Sequence, residues 1–449
     1  MIGVTVQLFE WSHVDVALEC ETFLGPHKFE AVQVSPPNEH ITGPAWWTRY
    51  QPVSYALVSR SGNASAFEDM VSRCAAAGVD VYVDAVLNHM AAGSGVGVAG
   101  TTFGGRAYLN YTADEFHHDA GSESSNCVVS DYTSLDNVQK CDLEGLPDLC
   151  TECGSVQDTL GAYLRKLRDL GVRGFRLDAA KHQQSDALGR VLQQVRTPAP
   201  PYIYQEVIEG AGEAVTPEMY TGLGRVTEFR YASTAIGPNF VGDGKLQYLR
   251  MLNESWGLLP SDAAVVFLDN HDTQRGDAPL VAQRDGALYF LAAAFMLAWP
   301  YGAPRVMSSY FFTDHDAGPP ATPVHGGADG CDGAHWVCEH RDPRIAGMVG
   351  WRRTAADAPV TLWSSPAPDQ IAFARGGAFI ALNRGSAAWS ASGVATGLPA
   401  GSYANVAAGD QAARVQVQAD GTATFEVPPL GVVALDVTQL LFVKTRSEV

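Results

Sequence analysis

Four short stretches concentrate the groups that could do chemistry: VDAVLNH (83–89), GFRLDAAKH (174–182), YIYQEV (202–207) and FLDNHD (267–272). In a strand, alternate side chains share a face, so Arg176 and Asp178 point one way and Phe175 and Leu177 the other. A guanidinium beside Asp178 lowers its proton affinity, so the expectation is an ionised carboxylate suited to nucleophilic attack. Glu206 sits among the apolar residues of YIY and Val207–Ile208, and a desolvated carboxyl there would hold its proton and serve as an acid. Two carboxyls of opposed protonation are what cleavage of a glycosidic bond needs, with a third acid, Asp272, to hold sugar hydroxyls as positive charge develops. The alternative for each residue alone is a structural ion pair at a strand end.

Such groups need a rigid frame, and the sequence supplies one. Eight β-rich runs (GVTVQLF, AVQVSP, DVYVDAVL, GFRLDA, YIYQEV, RVTEFR, AAVVFLD and PRVMSS) alternate with helix-compatible segments such as ASAFEDMVSRCAAAG and SVQDTLGAYLRKLRDLG. Strands apolar nearly throughout and separated by helices predict a parallel sheet closed into a (β/α)8 TIM barrel, whose functional groups sit at the carboxyl ends of the strands. Residues 89–149, rich in Gly, Ser, Asn and Asp, are too long for an ordinary connection and predict a small domain inserted after strand 3. From residue 358 to 449, alternating strands with glycine turns predict a C-terminal antiparallel β-sandwich. Residues 1–88 and 150–357 are left for the barrel.

The 449 residues carry a formal charge of −19, which argues against nucleic acid or an anionic membrane as the main partner and leaves a neutral substrate unaffected. The longest apolar run, 287–300, is too short to span a bilayer and reads as a buried helix. The chain opens on a strand-like run rather than a signal peptide. Eight cysteines in local clusters predict disulfides, an oxidising compartment and hence secretion as a mature form. Trp46, Trp47 and Tyr50 in PAWWTRYQPVSY suit either stacking on sugar rings or packing.

Together VDAVLNH, GFRLDAAKH, QEVIEG and FLDNHDTQRG resemble the four signature regions of the α-amylase family, glycoside hydrolase family 13. QVSPPNEH, WWTRYQPVSY, YGAPRVMSSY and CEHR are similar to the animal-type, chloride-dependent members and their bacterial relatives. The resemblance implies an enzyme that cleaves internal α-1,4 bonds of an α-glucan with retention of configuration, and the sequence gives no reason to expect more than a monomer. It implies Asp178 as nucleophile, Glu206 as acid/base and Asp272 as transition-state stabiliser. Trp46, Trp47, Tyr50, Gln51, His89, Arg176, Lys181, His182 and His271 would contact or order the sugar. Calcium would be held by Asn88, Asp148 and the backbone carbonyls of Gln139 and His182, consistent with that ion's preference for oxygen from several segments. Chloride would be held by Arg176, Asn270 and Arg305, offsetting the arginine charges so that Glu206 keeps its proton. The resemblance also implies disulfides Cys20–Cys74, Cys127–Cys141 and Cys331–Cys338. The remaining Cys150 and Cys153 are expected to form a local disulfide, with a zinc site as the alternative. Other functions compatible with the same residues are a transglycosylase of the same family and a non-catalytic glucan-binding protein.

Overall fold

A computed structural model describes residues 3–119, 125–326, 330–332, 334–409 and 414–441. Eight parallel strands close into a barrel: β1 (Thr5–Leu8), β2 (Ala31–Val34), β3 (Asp80–Val86), β4 (Gly174–Asp178), β5 (Tyr202–Gln205), β6 (Arg225–Thr227), β7 (Ala264–Val266) and β8 (Ala303–Ser308). Each pairs with its sequence neighbour, and β8 returns to β1 through Thr5↔Arg305 to Leu8↔Ser308. These are the eight runs expected from the sequence. Their two faces divide as the alternation requires. Phe175 and Leu177 are fully buried in the layer under the helices, while Arg176 turns to the barrel interior.

The helices form where apolar spacing and caps coincide. Asn63 caps the helix Ala64–Ala76 by accepting from the Ala66 N–H, and Phe67, Met70, Val71 and Cys74 bury its inner stripe. Helix Ala287–Ala298 is apolar on nearly all sides because the barrel covers one face and the C-terminal sheet the other. Among the described residues no helix is long and apolar enough to cross a membrane.

Between β3 and β4 the chain forms the hairpin Ser94–Val96/Thr102–Gly104 and the short helix Leu135–Lys140. A buried acid ties this segment down: Glu39 accepts from the Ala99 and Thr101 N–H groups through one oxygen and from the Ser54 hydroxyl through the other. All eight cysteines are paired, as Cys20–Cys74, Cys127–Cys141, Cys150–Cys153 and Cys331–Cys338, so the zinc alternative for Cys150 and Cys153 falls.

The C-terminal part stacks two antiparallel sheets. One has the order β9 (Val360–Ala367), β10 (Gln370–Arg375), β11 (Ala378–Asn383), β16 (Gly431–Asp436). The other has the order β12 (Trp389–Ala395), β15 (Thr422–Val427), β14 (Arg414–Val417), β13 (Gly401–Ala404), β17 (Leu440–Leu441). Strand β10 is apolar on both faces for a reason: Ile371 and Phe373 belong to the core shared with the barrel, and Ala372 and Ala374 to the core between the sheets.

Candidate active site

Register brings the charged residues together. Asp84 on β3 lies opposite Arg176 on β4, and Tyr204 on β5 lies opposite Arg176 on the other side. From this central position the Arg176 guanidinium donates through Nη1 to Asp84 and Asp178, both at 2.6 Å, and through Nη2 to Glu206 at 2.5 Å. The second Glu206 oxygen accepts from the Ala179 N–H at 2.9 Å. Ala179 adopts φ 47°, a left-handed conformation uncommon outside glycine, and this bend leads out of β4 into the turn Ala180–His182.

One positive charge therefore faces three carboxylates, and this corrects the expectation for Asp178. Burial pushes the Asp178 carboxyl well above the ordinary carboxylate range; Arg176 opposes this, but Glu206 and Asp84 add to it. The sequence reading counted only the adjacent guanidinium, whereas barrel closure divides that guanidinium among three acids. Asp84 is likewise raised by burial. Against the burial that would lower it, Asp84, Glu206 and Asp178 push Arg176 up, so it remains charged.

Asp272 stands on the cleft wall, its side chain 40% exposed, and meets His271 Nε2 at 3.2 Å. Loss of bulk water and the nearby Glu206 and Asp84 charges raise its carboxyl. His271 lies between the Phe9 ring at 4.9 Å and the Tyr50 ring at 5.0 Å. Burial and then Arg176, Arg305 and Arg275 hold it well below the usual histidine range. The Gln7 amide donates to Nδ1 of this neutral ring, leaving the proton on Nε2, directed at Asp272. Tyr50 donates its hydroxyl to Asp84 at 2.9 Å, and the rest of its side chain supports His271.

The other residues singled out in the sequence divide into those facing the cleft and those behind it. Lys181 pairs with Glu213 at 2.5 Å and lies 4.5 Å from the Tyr132 ring. His182 donates from Nδ1 to the Val138 carbonyl. Trp47 is 37% exposed, but Trp46 is buried, its indole N–H on the His315 carbonyl, so only one of the tryptophan pair presents an open ring. His89 donates to the Tyr50 carbonyl, and Gln51 accepts from the Ala92 N–H, so both order the wall. A hollow of about 320 Å³ lined by Tyr132, Lys181, Glu206 and Glu213 and another of about 360 Å³ lined by Arg230, Phe229 and Asp272 share Ile208 in their walls.

Two sets of unpartnered buried atoms bear on ion binding. Arg176 Nε and Arg305 Nη2 find no acceptor, and Asn270 on the strand-7 loop accepts through Oδ1 from the Asp272 and Thr273 N–H groups. Buried donors of this kind suit a small anion. Separately, Asn88 Oδ1 and Asp148 Oδ1 are buried oxygens without partners. The bridge His89↔Asp148 sets them near each other, and the His182–Val138 bond draws the turn after β4 against the helix bearing Gln139. An oxygen set from three segments suits a hard divalent cation.

Asp84 lies within VDAVLNH, where the sequence alone assigns it no role. The signal was present, since Tyr82, Asp84 and Val86 alternate to one face of β3, but only the register shows Asp84 opposite Arg176.

The family model described as "Alpha amylase, catalytic domain" matches residues 49–198. The α-amylase of Streptomyces violaceus is 44% identical over 406 residues, covering 90% of this chain and 69% of that one. The α-amylase of Tenebrio molitor is 43% identical, covering 90% of this chain and 89% of that one. The structure of wild-type α-amylase I from Eisenia fetida superimposes with a TM-score of 0.90 at 37% identity over 97% of both chains. The pancreatic α-amylase of Sus scrofa is 42% identical across 94% of this chain and 91% of its own. Identity of 37–44% over 90% or more of this chain and 69% or more of each relative means that the chain belongs to the α-amylase family of glycoside hydrolases, family 13.

Proposed function

We propose that the protein hydrolyses internal α-1,4-glucosidic bonds of starch, glycogen and maltooligosaccharides with retention, through a glycosyl-enzyme on Asp178. The observation that carries this reading is the pair Asp178 and Glu206 held on the two terminal nitrogens of one buried guanidinium. Two carboxyls fixed on one guanidinium at the barrel mouth suit a nucleophile and an acid acting on the same bond. The crystal structure of an Eisenia fetida α-amylase I variant in complex with maltohexaose supports a linear α-glucan as the substrate class. Two hollows flanking Ile208, one lined by Glu206 and the other by Asp272, support subsites on both sides of the scissile bond and hence internal cleavage.

In the first step the Glu206 carboxyl gives its proton to the glycosidic oxygen while an Asp178 oxygen attacks the anomeric carbon. The C–O bond to the leaving sugar breaks and an ester to Asp178 forms. In the second, the Glu206 carboxylate takes a proton from water, whose oxygen displaces Asp178 from the same carbon. Asp272, oriented by the His271 Nε2 proton, stabilises the positive charge developing on the ring. Ala179 N–H and Arg176 fix the Glu206 carboxyl in place throughout.

Arg176, Asn270 and Arg305 would hold chloride, which when bound offsets the arginine charges next to Glu206. Asn88, Asp148 and the carbonyls of Gln139 and His182 would hold calcium, which when bound joins the segment 89–149 to the barrel. The four disulfides support an oxidising, extracellular location.

The test is the release of reducing sugar from soluble starch by the wild type and by Glu206→Gln, with anomeric configuration followed by NMR. The variant should fold normally and lose about 10²- to 10⁴-fold in kcat. Inverted product, or a variant of undiminished activity, would refute the assignment. Predominant transfer to a second sugar would favour a transglycosylase.

A further inference from the structure

A second concentration of buried positive charge lies on the face of the barrel opposite the cleft. A cavity of about 650 Å³ opens there, lined by Arg225, Arg352 and Arg375. Arg225 is the first residue of β6, and Ser261 and Gly302, which complete the wall, precede β7 and β8. The cavity therefore belongs to the amino ends of the strands, whereas Glu206 and Asp272 follow the carboxyl ends of β5 and β7. Its three guanidiniums come from three separate elements: a barrel strand for Arg225, the helix Pro343–Ala355 for Arg352, and β10 of the C-terminal sheet for Arg375.

Two of these cations are deeply buried, Arg352 being 5% and Arg375 2% exposed. Arg352 donates to the carbonyls of Leu297, Trp299 and Gly302, and Arg375 to those of Ala298, Ala356 and Ala358. Both thus cap the C-terminal end of helix Ala287–Ala298, where the peptide dipoles place only about half a negative charge against two full positive ones. Each guanidinium is pushed down to about 10, Arg352 by burial and then by Arg375, and Arg375 by burial, with Asp357 opposing in both cases. They stay charged at neutral pH. Arg352 Nε is buried without an acceptor. Half-buried Arg225 reaches the carbonyls of Ser261 and Ala264 only at 3.4 and 3.3 Å. The backbone is bent to hold the arrangement: Ala356 takes φ 50°, a strained region for a residue other than glycine, and its carbonyl accepts from Arg375 at 2.7 Å.

We propose that this cavity binds a phosphate group, held by Arg225, Arg352 and Arg375 across the junction of the barrel and the C-terminal domain. A guanidinium offers forked donors that match the geometry of phosphate oxygens. The placement of charge fits an anion that enters past a rim, because the two buried cations form the inner wall while Glu254, Asp262 and Asp357 are exposed. Glu254 is moreover engaged, accepting from the Ser261 N–H at 2.8 Å. The formal charge of −19 belongs to the whole chain, and its field is screened within about 8 Å at physiological salt. Free phosphate and the phosphate group of a small ester share this chemistry. Either ligand would tie three elements together and stabilise the folded protein by mass action.

The test is isothermal titration of the full chain with inorganic phosphate and with glucose 6-phosphate, in saturating chloride and at fixed low calcium and constant ionic strength. One phosphate group per chain is expected, and phosphate at about 20 times its dissociation constant should raise the melting temperature by ~2 °C or more. Arg225→Gln, which removes the least buried of the three cations, should weaken binding by about fivefold or more, and Asp262→Asn, which removes a carboxylate from the rim, should tighten it by about twofold. Arg305→Gln, altered in the proposed chloride site, should bind phosphate as the wild type does. Stronger binding of glucose 6-phosphate than of inorganic phosphate would assign the site to an ester and equal binding to the free anion, and both results support the site. Absence of saturable binding of either probe to the wild type would overturn the proposal. So would equal affinity in the wild type, Arg225→Gln and Asp262→Asn, or loss of binding in Arg305→Gln, which would place the phosphate in the cleft.

Discussion

Replacing Arg176 by Met probes the charge arrangement on which the proposed chemistry depends. The side chains of Arg176, Asp84, Asp178 and Glu206 are 1%, 0%, 9% and 10% exposed, so solvent does little to screen their mutual interactions. Breaking one buried ion pair by removing a partner costs about 3–5 kcal/mol. Three such pairs do not cost three times that amount, because a buried carboxylate left without its guanidinium takes up a proton instead. For a carboxyl of unfolded pKa near 4, holding a proton at pH 7 costs about 4 kcal/mol, at ~1.4 kcal/mol per pH unit. The sign follows from the direction of the shifts. Asp84 and Asp178 are already raised in the folded state, so the folded protein binds more protons than the unfolded chain, and stability falls as pH rises above the unfolded pKa. Arg176→Met raises the carboxyls further and makes that fall steeper. Urea unfolding of wild type and variant at pH 4.5, 6 and 7.5 should show a stability difference that widens by about 1.4 kcal/mol per unit, reaching ~4 kcal/mol across the range. Activity on soluble starch should be lost at every pH. A stability difference that changes by less than about 1 kcal/mol over the range would refute the claim that Arg176 governs the protonation of this cluster.

Three further outcomes are expected. Chelation of calcium should lower the melting temperature of the wild type, by an amount equivalent to about 4 kcal/mol if the ion is present at 1,000 times its dissociation constant, and should leave Asp148→Ala unaffected; equal shifts in both would remove Asp148 from the calcium site. Starch hydrolysis should rise with added chloride in the wild type and show no chloride response in Arg305→Gln, and activity unchanged after exhaustive removal of chloride would refute chloride activation. Tyr50→Phe should keep the ring against His271 but lose the hydroxyl on Asp84, lowering kcat by up to about tenfold, on the order of 1 kcal/mol, with little change in KM; a change confined to KM would make Tyr50 a sugar contact instead.

The barrel was legible in the sequence because its signal is local: each of the eight strands is a short apolar run, and each is followed by a segment of helical period. The convergence of Asp178, Glu206 and Asp272 was legible for the same reason, since position at a strand end is enough to place a residue at the barrel mouth. What could not be read depends on register and backbone geometry. The hydrogen bond from Ala179 N–H to Glu206 requires a left-handed alanine, and nothing in the alanine side chain announces it. The division of the tryptophan pair, Trp46 inward under Arg275 and Trp47 outward, depends on a single 3-10 turn, Trp46–Tyr50, whose rotation the spacing WW leaves undefined. The error over Asp178 has the same origin. Its nearest charge along the chain is Arg176, but its proton affinity is raised first by burial in the closed barrel and then by Glu206 and Asp84, 28 and 94 positions away.

That error points to a requirement of the proposed reaction. Cleavage of a glycosidic bond passes through a sugar ring bearing positive charge, so a cluster in which every carboxylate had its own guanidinium would stabilise the ground state and the transition state alike. One guanidinium for three carboxylates leaves negative potential to be met by the developing cation, and Asp272 adds to it, since its partner His271 is held neutral between Phe9 and Tyr50. The Asp84 and Asp178 carboxyls, pushed up by burial and by the neighbouring carboxylates against the pull of Arg176, reflect this under-neutralisation. On this reasoning a second permanent cation beside the cluster, for example from Gln33→Lys next to Asp84, would ionise the carboxyls and stabilise the fold at neutral pH while slowing catalysis. A variant of that kind that gained stability and activity together would contradict the argument.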